Sequence, residues 1–337
     1  MARSLSVTVL MDEATLPEGE TFARRSEVSA TEYHVVNALR RLGHTVGLLG
    51  VGARLEPVVV GLLRQKPDVV FNLTEQFRDL RMLDANVAGL LELLDLPFTG
   101  SGPAGLMLCR DKGLAKHVLR AGGVMVPRFE VVEPGIPSRT TMDLAFPLVV
   151  KPLLEDGSEG ISNASLVHTR AELIARVRAI HRRFRQAAII EEYVTGRELY
   201  VTVLGNGRLT VLPPREIEFT ATGGAAPLMA TYQVKWDKRY RKRWRVRQSF
   251  ARLEPGLLTS IAKTCRDAFR LLHVRDYARV DLRVTPEGRV VVLEVNPNPG
   301  LNVIDEVALS AEKAGIPYQA LIDRIVRMAI ARHRAKR

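Results

Sequence analysis

In the stretch YARVDLRVTPEGRVVVLEVN, residues 277–296, Arg279 and Asp281 lie two apart on one apolar run, and Glu294 and Asn296 lie two apart on the next. Side chains two apart on a strand point to one face. If the runs pair through the turn TPEG, that face gathers two carboxylates, an amide and a guanidinium. Three hard oxygen ligands beside a cation suit Mg²⁺, which binds carboxylates together with the phosphates of a substrate. A buried carboxylate pair with nothing between would be costly, and a bound cation relieves it. Solvated strand polars would account for Asp281 alone, but poorly for a Glu-x-Asn inside an apolar strand.

A second group of residues suits phosphate. Lys151 ends the apolar run FPLVV, and the turn EDGSEG follows within a few residues. Backbone N–H groups of such a turn can cradle phosphates while a lysine supplies a point charge. Glycine-bearing hairpin turns are common, so this pair is weak alone, and Lys112, a single lysine on a helix, is weaker. IIEEYVTGRE is a hydrophobic strand running into a linker, a slot for a flat base, with Glu198 near a ribose.

These residues need elements to hold them, and the chain alternates strand and helix. SLSVTVLM, HTVGLLG, PDVVFNL and PFTGSG read as strands. Between them come SATEYHVVNALRRLG, with a Ser29 cap and a Gly43 stop, a helix over 55–65, and LDANVAGLLELLD. This order predicts a parallel sheet with helices on its faces, without a G-x-G-x-x-G after the first strand. SGPAGLMLCRDKGLAKHVLRAGG reads as one helix from Pro103 to a Gly122-Gly123 stop, with a domain boundary near Ser101. After it come two strands around EDGSEG, the helix TRAELIARVRAIHRRF, and the strands AAIIEEYV, RELYVTVLG and RLTVLPPREI. A polar loop over 219–254, the helix GLLTSIAKTCRDAFRLLH, the strand pair that opens this section and a closing helix complete the chain.

Length and composition limit the function. The 337 residues, 46% hydrophobic, can bury a large core in two or three domains. Cys109 and Cys265 have no partners at metal spacing, which predicts small buried side chains and a reducing compartment. The apolar start is too short for a secretory core and meets Asp12 and Glu13 at once, and no window approaches the roughly 20 apolar residues of a membrane span. The expected location is the cytoplasm. A formal charge of +12 suits an anionic partner, and much of it lies in KWDKRYRKRWRVR, residues 235–247, and in the tail. No nucleic-acid motif accompanies the basic run, so a solvated or phosphate-facing segment is expected over a nucleic-acid site.

Taken in order, VVKPLLEDGSEGI, IIEEYVTGREL, RVDLRV and LEVNPNPG resemble the ATP-grasp superfamily; with VVFNL, LLELLDLPFTGSGP and RDKGLAK they resemble its D-alanine-D-alanine ligase branch over nearly the whole chain. The resemblance implies an α/β and α+β protein: a Rossmann-like N-terminal domain (1–101), a central lobe with the glycine-bearing loop (102–194) and a C-terminal lobe with the metal and acceptor sites (195–337). By motif position, Lys112 and Lys151 would contact phosphates, and the loop carrying Gly157, Ser158 and Gly160 would close over them, Ser158 also serving catalysis. Glu191, Val194 and Glu198 would hold adenine and ribose. Asp281, Glu294 and Asn296 would bind two Mg²⁺, with Mn²⁺ as a substitute. Arg279 would stabilise the acyl phosphate and the tetrahedral intermediate, and Lys235 would reach the γ-phosphate.

The implied reaction joins a small-molecule carboxylate, or a peptide, to an amine. The carboxylate takes the γ-phosphoryl group of ATP, and the amine then attacks the activated carbonyl. The resemblance also implies a homodimer. Departures fall on the amino-acid side. LMDEATLPEGE replaces the family's Gly-Gly-x-Ser-x-Glu element, and FNLTEQFRDLRMLD replaces its His-Gly and Gly-Glu-Asp-Gly stretch. NVID after Gly300 puts Asp305 where the family has a serine that helps hold a substrate carboxylate, and Trp236 replaces a tyrosine. An acidic Asp305 would repel a carboxylate, which argues for another acceptor. Three functions follow as expectations: a ligase of this type with other substrates, a D-alanine-D-alanine ligase serving the cell wall, and a protein that binds nucleotide or nucleic acid through 235–247 without ligating.

Overall fold

The computed structural model describes residues 3–17, 22, 30–135, 143–219, 229, 231, 234 and 237–335. The first part alternates as its periodicity requires: β1 (Ser6–Asp12), α1 (Thr31–Arg41), β2 (Thr45–Val51), α2 (Glu56–Gln65), β3 (Val69–Asn72) and α3 (Asp84–Leu93). The strands form a parallel sheet in the order β2-β1-β3. The expected fourth strand, PFTGSG, contributes only a bridge between Phe98 and Val70, because Gly100, with φ +85°, turns the chain away at once. The Ser29 cap lies outside the described residues.

Next come α4 (Pro103–Arg110) and α5 (Lys112–Ala121), where the sequence predicts one helix. The break is Asp111, whose extended backbone ends the first helix and whose carboxylate accepts from Leu114 N at 2.8 Å, capping the second. A small antiparallel sheet follows, β4 (Phe129–Val132), β5 (Leu148–Pro152), β6 (Leu166–Val167) and β7 (Ala188–Glu192), in the order β4-β7-β5-β6, with α6 (Arg170–Phe184) between β6 and β7 in sequence. Leu148, Val150 and Ile190 bury one face of that sheet against Leu173, Val177 and Ile180 of α6.

The last part holds β8 (Arg197–Leu204), β9 (Thr210–Val211), β10 (Arg215–Phe219), α7 (Lys238–Arg243), β11 (Val246–Phe250), α8 (Pro255–Leu271), β12 (Tyr277–Val284), β13 (Val290–Asn296), α9 (Glu306–Lys313) and α10 (Tyr318–Arg334). Its sheet runs β11-β10-β8-β12-β13, with β9 paired to β8. Three sequence expectations change here. RLTVLPPREI splits into β9 and β10 at its two prolines, which lack the N–H a ladder needs. The polar 219–254 loop contains a helix and a strand, and the closing helix is two helices separated by Gly315 at φ +79° and Pro317.

β1 shows how the layers close. Val7, Val9 and Met11 pack with α1 and with Leu321, Ile322, Ile325 and Val326 of α10, while Leu10 points the other way toward Val58 and Leu62 of α2. The chain's last helix therefore covers the first sheet. Each such buried Leu or Ile side chain contributes about 1.5–3 kcal/mol.

Candidate functional site

The large antiparallel sheet has one apolar and one polar face, set by alternation. Leu199, Val201 and Val203 of β8 and Val280 and Leu282 of β12 pack against Ile261, Cys265 and Phe269 of α8. The intervening residues face the other way. Asp281 is directly opposite both Tyr200 and Glu294; Arg279 is opposite Thr202 and Asn296; Arg283 is opposite Glu198. Directly paired residues share a face, so the four side chains predicted to gather on one face do share it. A bulge follows Asp281, shifting Leu282 onto Val292.

Arg279 binds Asp281 with both prongs, Nε to Oδ1 at 2.7 Å and Nη2 to Oδ2 at 3.0 Å; its Nη1 is 3.6 Å from Glu306 Oε2, and its guanidinium lies 5.2 Å from the Tyr200 ring centroid. Burial works against the charge of Arg279, but Asp281 and Glu306 hold its pKa above the usual arginine value. The same neighbourhood, led by burial and then the charge of Glu198, pushes the Tyr200 phenol well above its usual pKa.

The facing lobe supplies lysines. Glu191, 2% exposed, lies between Lys116 and Lys151, each 3.0 Å from one of its oxygens. Burial favours a neutral carboxyl, but the two ammonium groups outweigh it and hold Glu191 below the usual carboxylate range. Lys151 is likewise held above its ordinary value, since Glu191 and Glu294 outweigh burial. For Lys112 and Lys116 burial dominates and lowers the pKa. Lys112 Nζ donates to the Glu155 carbonyl and, at 3.5 Å, to that of Leu153; Lys116 Nζ donates to the Leu293 carbonyl at 2.5 Å, tying α5 to β13. Both oxygens of Glu191, expected with Val194 and Glu198 to hold adenine and ribose, face lysines.

Between the two lobes is a pocket with apolar walls, Val149, Ile161, Val194, Met229 and Leu293, and a charged floor of Lys151, Glu191, Asp281 and Glu294. Ser158 and Glu198 also line it. Glu198 is held by Arg283, whose Nη2 and Nε reach Glu198 Oε2 at 2.7 and 3.2 Å; the same guanidinium donates to the Val194 carbonyl at 2.6 Å and lies 4.7 Å from the Tyr193 ring centroid. Arg283, Lys116 and Asp156 are the residues sequence reasoning missed. The signals were present: Arg283 continues the two-residue alternation of Arg279 and Asp281, and Lys116 is one helical turn from Lys112.

The glycine-bearing loop runs through the left-handed region of backbone space. Gly157, Ser158 and Gly160 have φ of +59°, +64° and +71°, a region costly for serine. A Cβ on Gly160 would come within 2.6 Å of Pro152 Cγ and 2.8 Å of Phe184 Cζ. Asp156 anchors the loop to the N-terminal half of the chain through Arg81 at 2.6 Å and through Arg110.

At the other end, Asp305 turns its carboxylate back on its own loop: Oδ2 accepts from Asn302 N at 3.0 Å and occupies the space a Cβ on Gly300 would need, at 2.3 Å. Burial raises its pKa. Asp12, at the end of β1, accepts from Glu75 N at 3.1 Å, and burial pushes both carboxyls up, that of Asp12 to about 6. Lys235 and Trp236 lie outside the described residues. The basic run caps its short helix with Asp237, 2.8 Å from Arg239 N, and sends Tyr240 Oη to accept from Asn163 Nδ2 at 3.3 Å, just beyond the glycine-bearing loop.

The residues fit a divalent cation. Among the described residues no three His, Cys, Asp or Glu side chains converge, so the protein ligands available are two carboxylates and an amide, the sparse set with which Mg²⁺ keeps waters and substrate phosphates. Among the described residues Asn296 Nδ2 is buried without a hydrogen-bond partner; amide O and N are interchangeable assignments, and an oxygen there would be an open ligand. A carboxylate has about four lone-pair positions, so Asp281 can serve Arg279 and a metal together.

The comparisons agree with this geometry. The family model described as D-ala D-ala ligase C-terminus matches residues 119–327. A curated protein described as uncharacterized protein y4sG, from Sinorhizobium fredii, is 36% identical over 307 residues, 89% of this chain and 87% of that protein. A D-alanine–D-alanine ligase from Aquifex aeolicus is 30% identical over 87% of this chain and 92% of its own. The crystal structure of the Bacillus anthracis D-alanine–D-alanine ligase complexed with ATP superposes with a TM-score of 0.77 at 21% identity, over 99% of this chain and 100% of that one, which shows the fold. The chain belongs to the D-alanine–D-alanine ligase family, ATP-grasp enzymes that form a C–N bond between a carboxylate and an amine with ATP.

Proposed function

We propose that this ligase works with two divalent cations, Mg²⁺ or Mn²⁺, held by Asp281, Glu294 and Asn296, and that its acid and amine are small molecules or peptides other than a pair of D-alanines. The observation that carries the metal reading is the direct pairing of Asp281 with Glu294 on a polar sheet face opposite Lys151 and Glu191. When bound, the cations supply charge neutralisation for the phosphates of ATP. The chain's own residues do the remainder. Lys112, Lys116 and Lys151 gather positive charge where phosphates would lie, with Glu191 favouring the charged forms of Lys116 and Lys151 and holding both in place. Val149, Ile161, Val194 and Met229 offer an apolar slot for the base, with Glu198, fixed by Arg283, beside the ribose. Arg279 is a fixed cation facing the oxyanion that forms when an amine attacks an activated carbonyl. The loop with Gly157, Ser158 and Gly160, together with the basic segment carrying Lys235, would keep water from that intermediate.

The substrate reading rests on the amino-acid end. Asp305 offers a carboxylate, not a hydroxyl, and Asp12 and Glu75 add two more carboxyls. We extend the proposal to three lobes at 1–101, 102–194 and 195–337, α10 excepted, and to a cytoplasmic homodimer, in keeping with the family resemblance. None of the described helices is long and apolar enough to cross a membrane. Phosphate release from Mg-ATP against a panel of amino acids and dipeptides tests the substrate reading. Turnover requiring another acid or amine supports it; D-alanine alone sufficing would replace it with the peptidoglycan ligase reading. RNA or DNA binding that weakens with salt, without turnover on any pair, would favour the basic segment as a nucleic-acid site.

A further inference from the structure

Arg215 lies on β10 directly opposite Tyr200 and Phe250, so it shares the polar face with Asp281 and Glu294. It is 8% exposed. Among the described residues its Nε is buried with no hydrogen-bond partner, and its guanidinium lies over the Phe250 ring, 5.2 Å to the centroid. Among the described residues no carboxylate is within ion-pair distance of it. The nearest acidic influence is Glu306, which is already 3.6 Å from Arg279 and 3.4 Å from Gln248 Nε2. The other guanidinium groups on this face are compensated: Arg279 by Asp281 and Arg283 by Glu198. A buried, uncompensated arginine is costly, and the planar fork that remains unused matches a carboxylate in shape and charge.

We propose that Arg215 is a specificity-determining residue that binds a carboxylate of the substrate other than the one being activated. The proposal rests on the ligase reading and names the substrate class: an amino acid, or a peptide with a free C-terminus. Position supports this. Arg215 and Asp281 are two strands apart, about 10 Å at the usual strand spacing, which is the reach of an amino acid or dipeptide extending from the metal ligands. The turn after Gly300, where a substrate carboxylate would meet a hydroxyl in the family resemblance, carries Asp305 instead, whose carboxylate accepts from Asn302 N and offers a substrate carboxylate no hydroxyl donor. Arg215, close enough to Glu306 at the start of α9 to feel its charge, supplies the missing positive charge from β10.

The test uses the whole chain with AMP-PNP and Mg²⁺ bound, so that the lysines are occupied. Malonate, as a carboxylate probe, is expected to raise the Tm of the native protein by several degrees and to leave Arg215→Met unchanged. Without malonate, Arg215→Met should melt at or above the native temperature, since methionine fills the space without a charge. Turnover is then compared across amino acids and dipeptides, each as free acid and as carboxamide. Arg215→Met should lose at least tenfold in kcat/KM on the free acid and under threefold on its carboxamide, and the responding series tells amino acid from peptide. Equal malonate shifts in both proteins, or equal losses on acid and carboxamide, would overturn the proposal. Absence of turnover on every pair would sink the substrate reading instead, and the malonate shift would still decide Arg215.

Discussion

At one end of the cleft Glu191 sits between Lys116 and Lys151, and Glu198 is fixed by Arg283. Elsewhere, Arg215 has an aromatic ring and no carboxylate within ion-pair distance among the described residues, and Asp12 and Glu75 hold carboxyls that burial pushes upward. The first end is compensated before any ligand arrives, as suits a partner that is the same in every turnover. The second leaves charge for its ligand to answer, as suits recognition of a particular acid or amine. Fixed chemistry and variable specificity thus fall to different groups of residues, with Arg279 and Asp281 of the large sheet at their junction.

Breaking the junction should have the largest effect. Asp281→Asn and Glu294→Gln are each expected to lower ATP-dependent phosphate release by about 10²–10³-fold, the scale of removing one preorganised electrostatic group. A coupled phosphate assay measures this, and EDTA should abolish turnover reversibly on adding Mg²⁺. Next, Glu191→Gln strands two buried ammonium groups, and urea unfolding should show a loss of about 3 kcal/mol; a loss under about 1 kcal/mol would mean the lysines are not compensated as described. Gly160→Ala forces a Cβ into φ +71° and against Pro152 and Phe184, which should remove about 1–3 kcal/mol by the same measurement.

The smallest effect sharpens the comparison from the uncompensated end. Burial raises the Asp12 carboxyl from 3.8 to about 6, so the folded state binds its proton more tightly than the unfolded chain. The stability this proton brings is present in full below the unfolded pKa and is lost as pH rises through about 6. Asp12→Asn should lack that slope and be more stable than the native protein at pH 7, by about 1 kcal/mol once partial exposure is discounted. Unfolding free energies at pH 4.5 and 7 check it: the two proteins should differ less at the lower pH.

Much of the polar face was legible in the sequence because strand alternation fixes which residues meet; Arg279, Asp281, Glu294 and Asn296 follow from counting by two. What counting could not supply was the partner across a long sequence gap. Glu191 reads as part of a base slot until β7 is placed beside Lys151 on β5 and facing Lys116 on α5. Arg215 is one residue of the run RLTVLPPREI until β10 pairs with both β8 and β11. The single helix expected from Pro103 broke at Asp111 because an N-cap carboxylate competes with the helical continuation that apolar spacing alone suggests. The final helix was legible from its Leu, Ile and Val content, but its packing on the first sheet is a contact between the two ends of the chain.

The central claim is that this polar face activates a carboxylate by phosphoryl transfer and then joins it to an amine. It is tested most directly with the acid that supports turnover, labelled with ¹⁸O in its carboxyl group, by mass analysis of the released phosphate. One ¹⁸O atom should appear in the phosphate for each amide formed, at full label in the acid. Phosphate free of ¹⁸O would contradict the account, whatever else the protein binds.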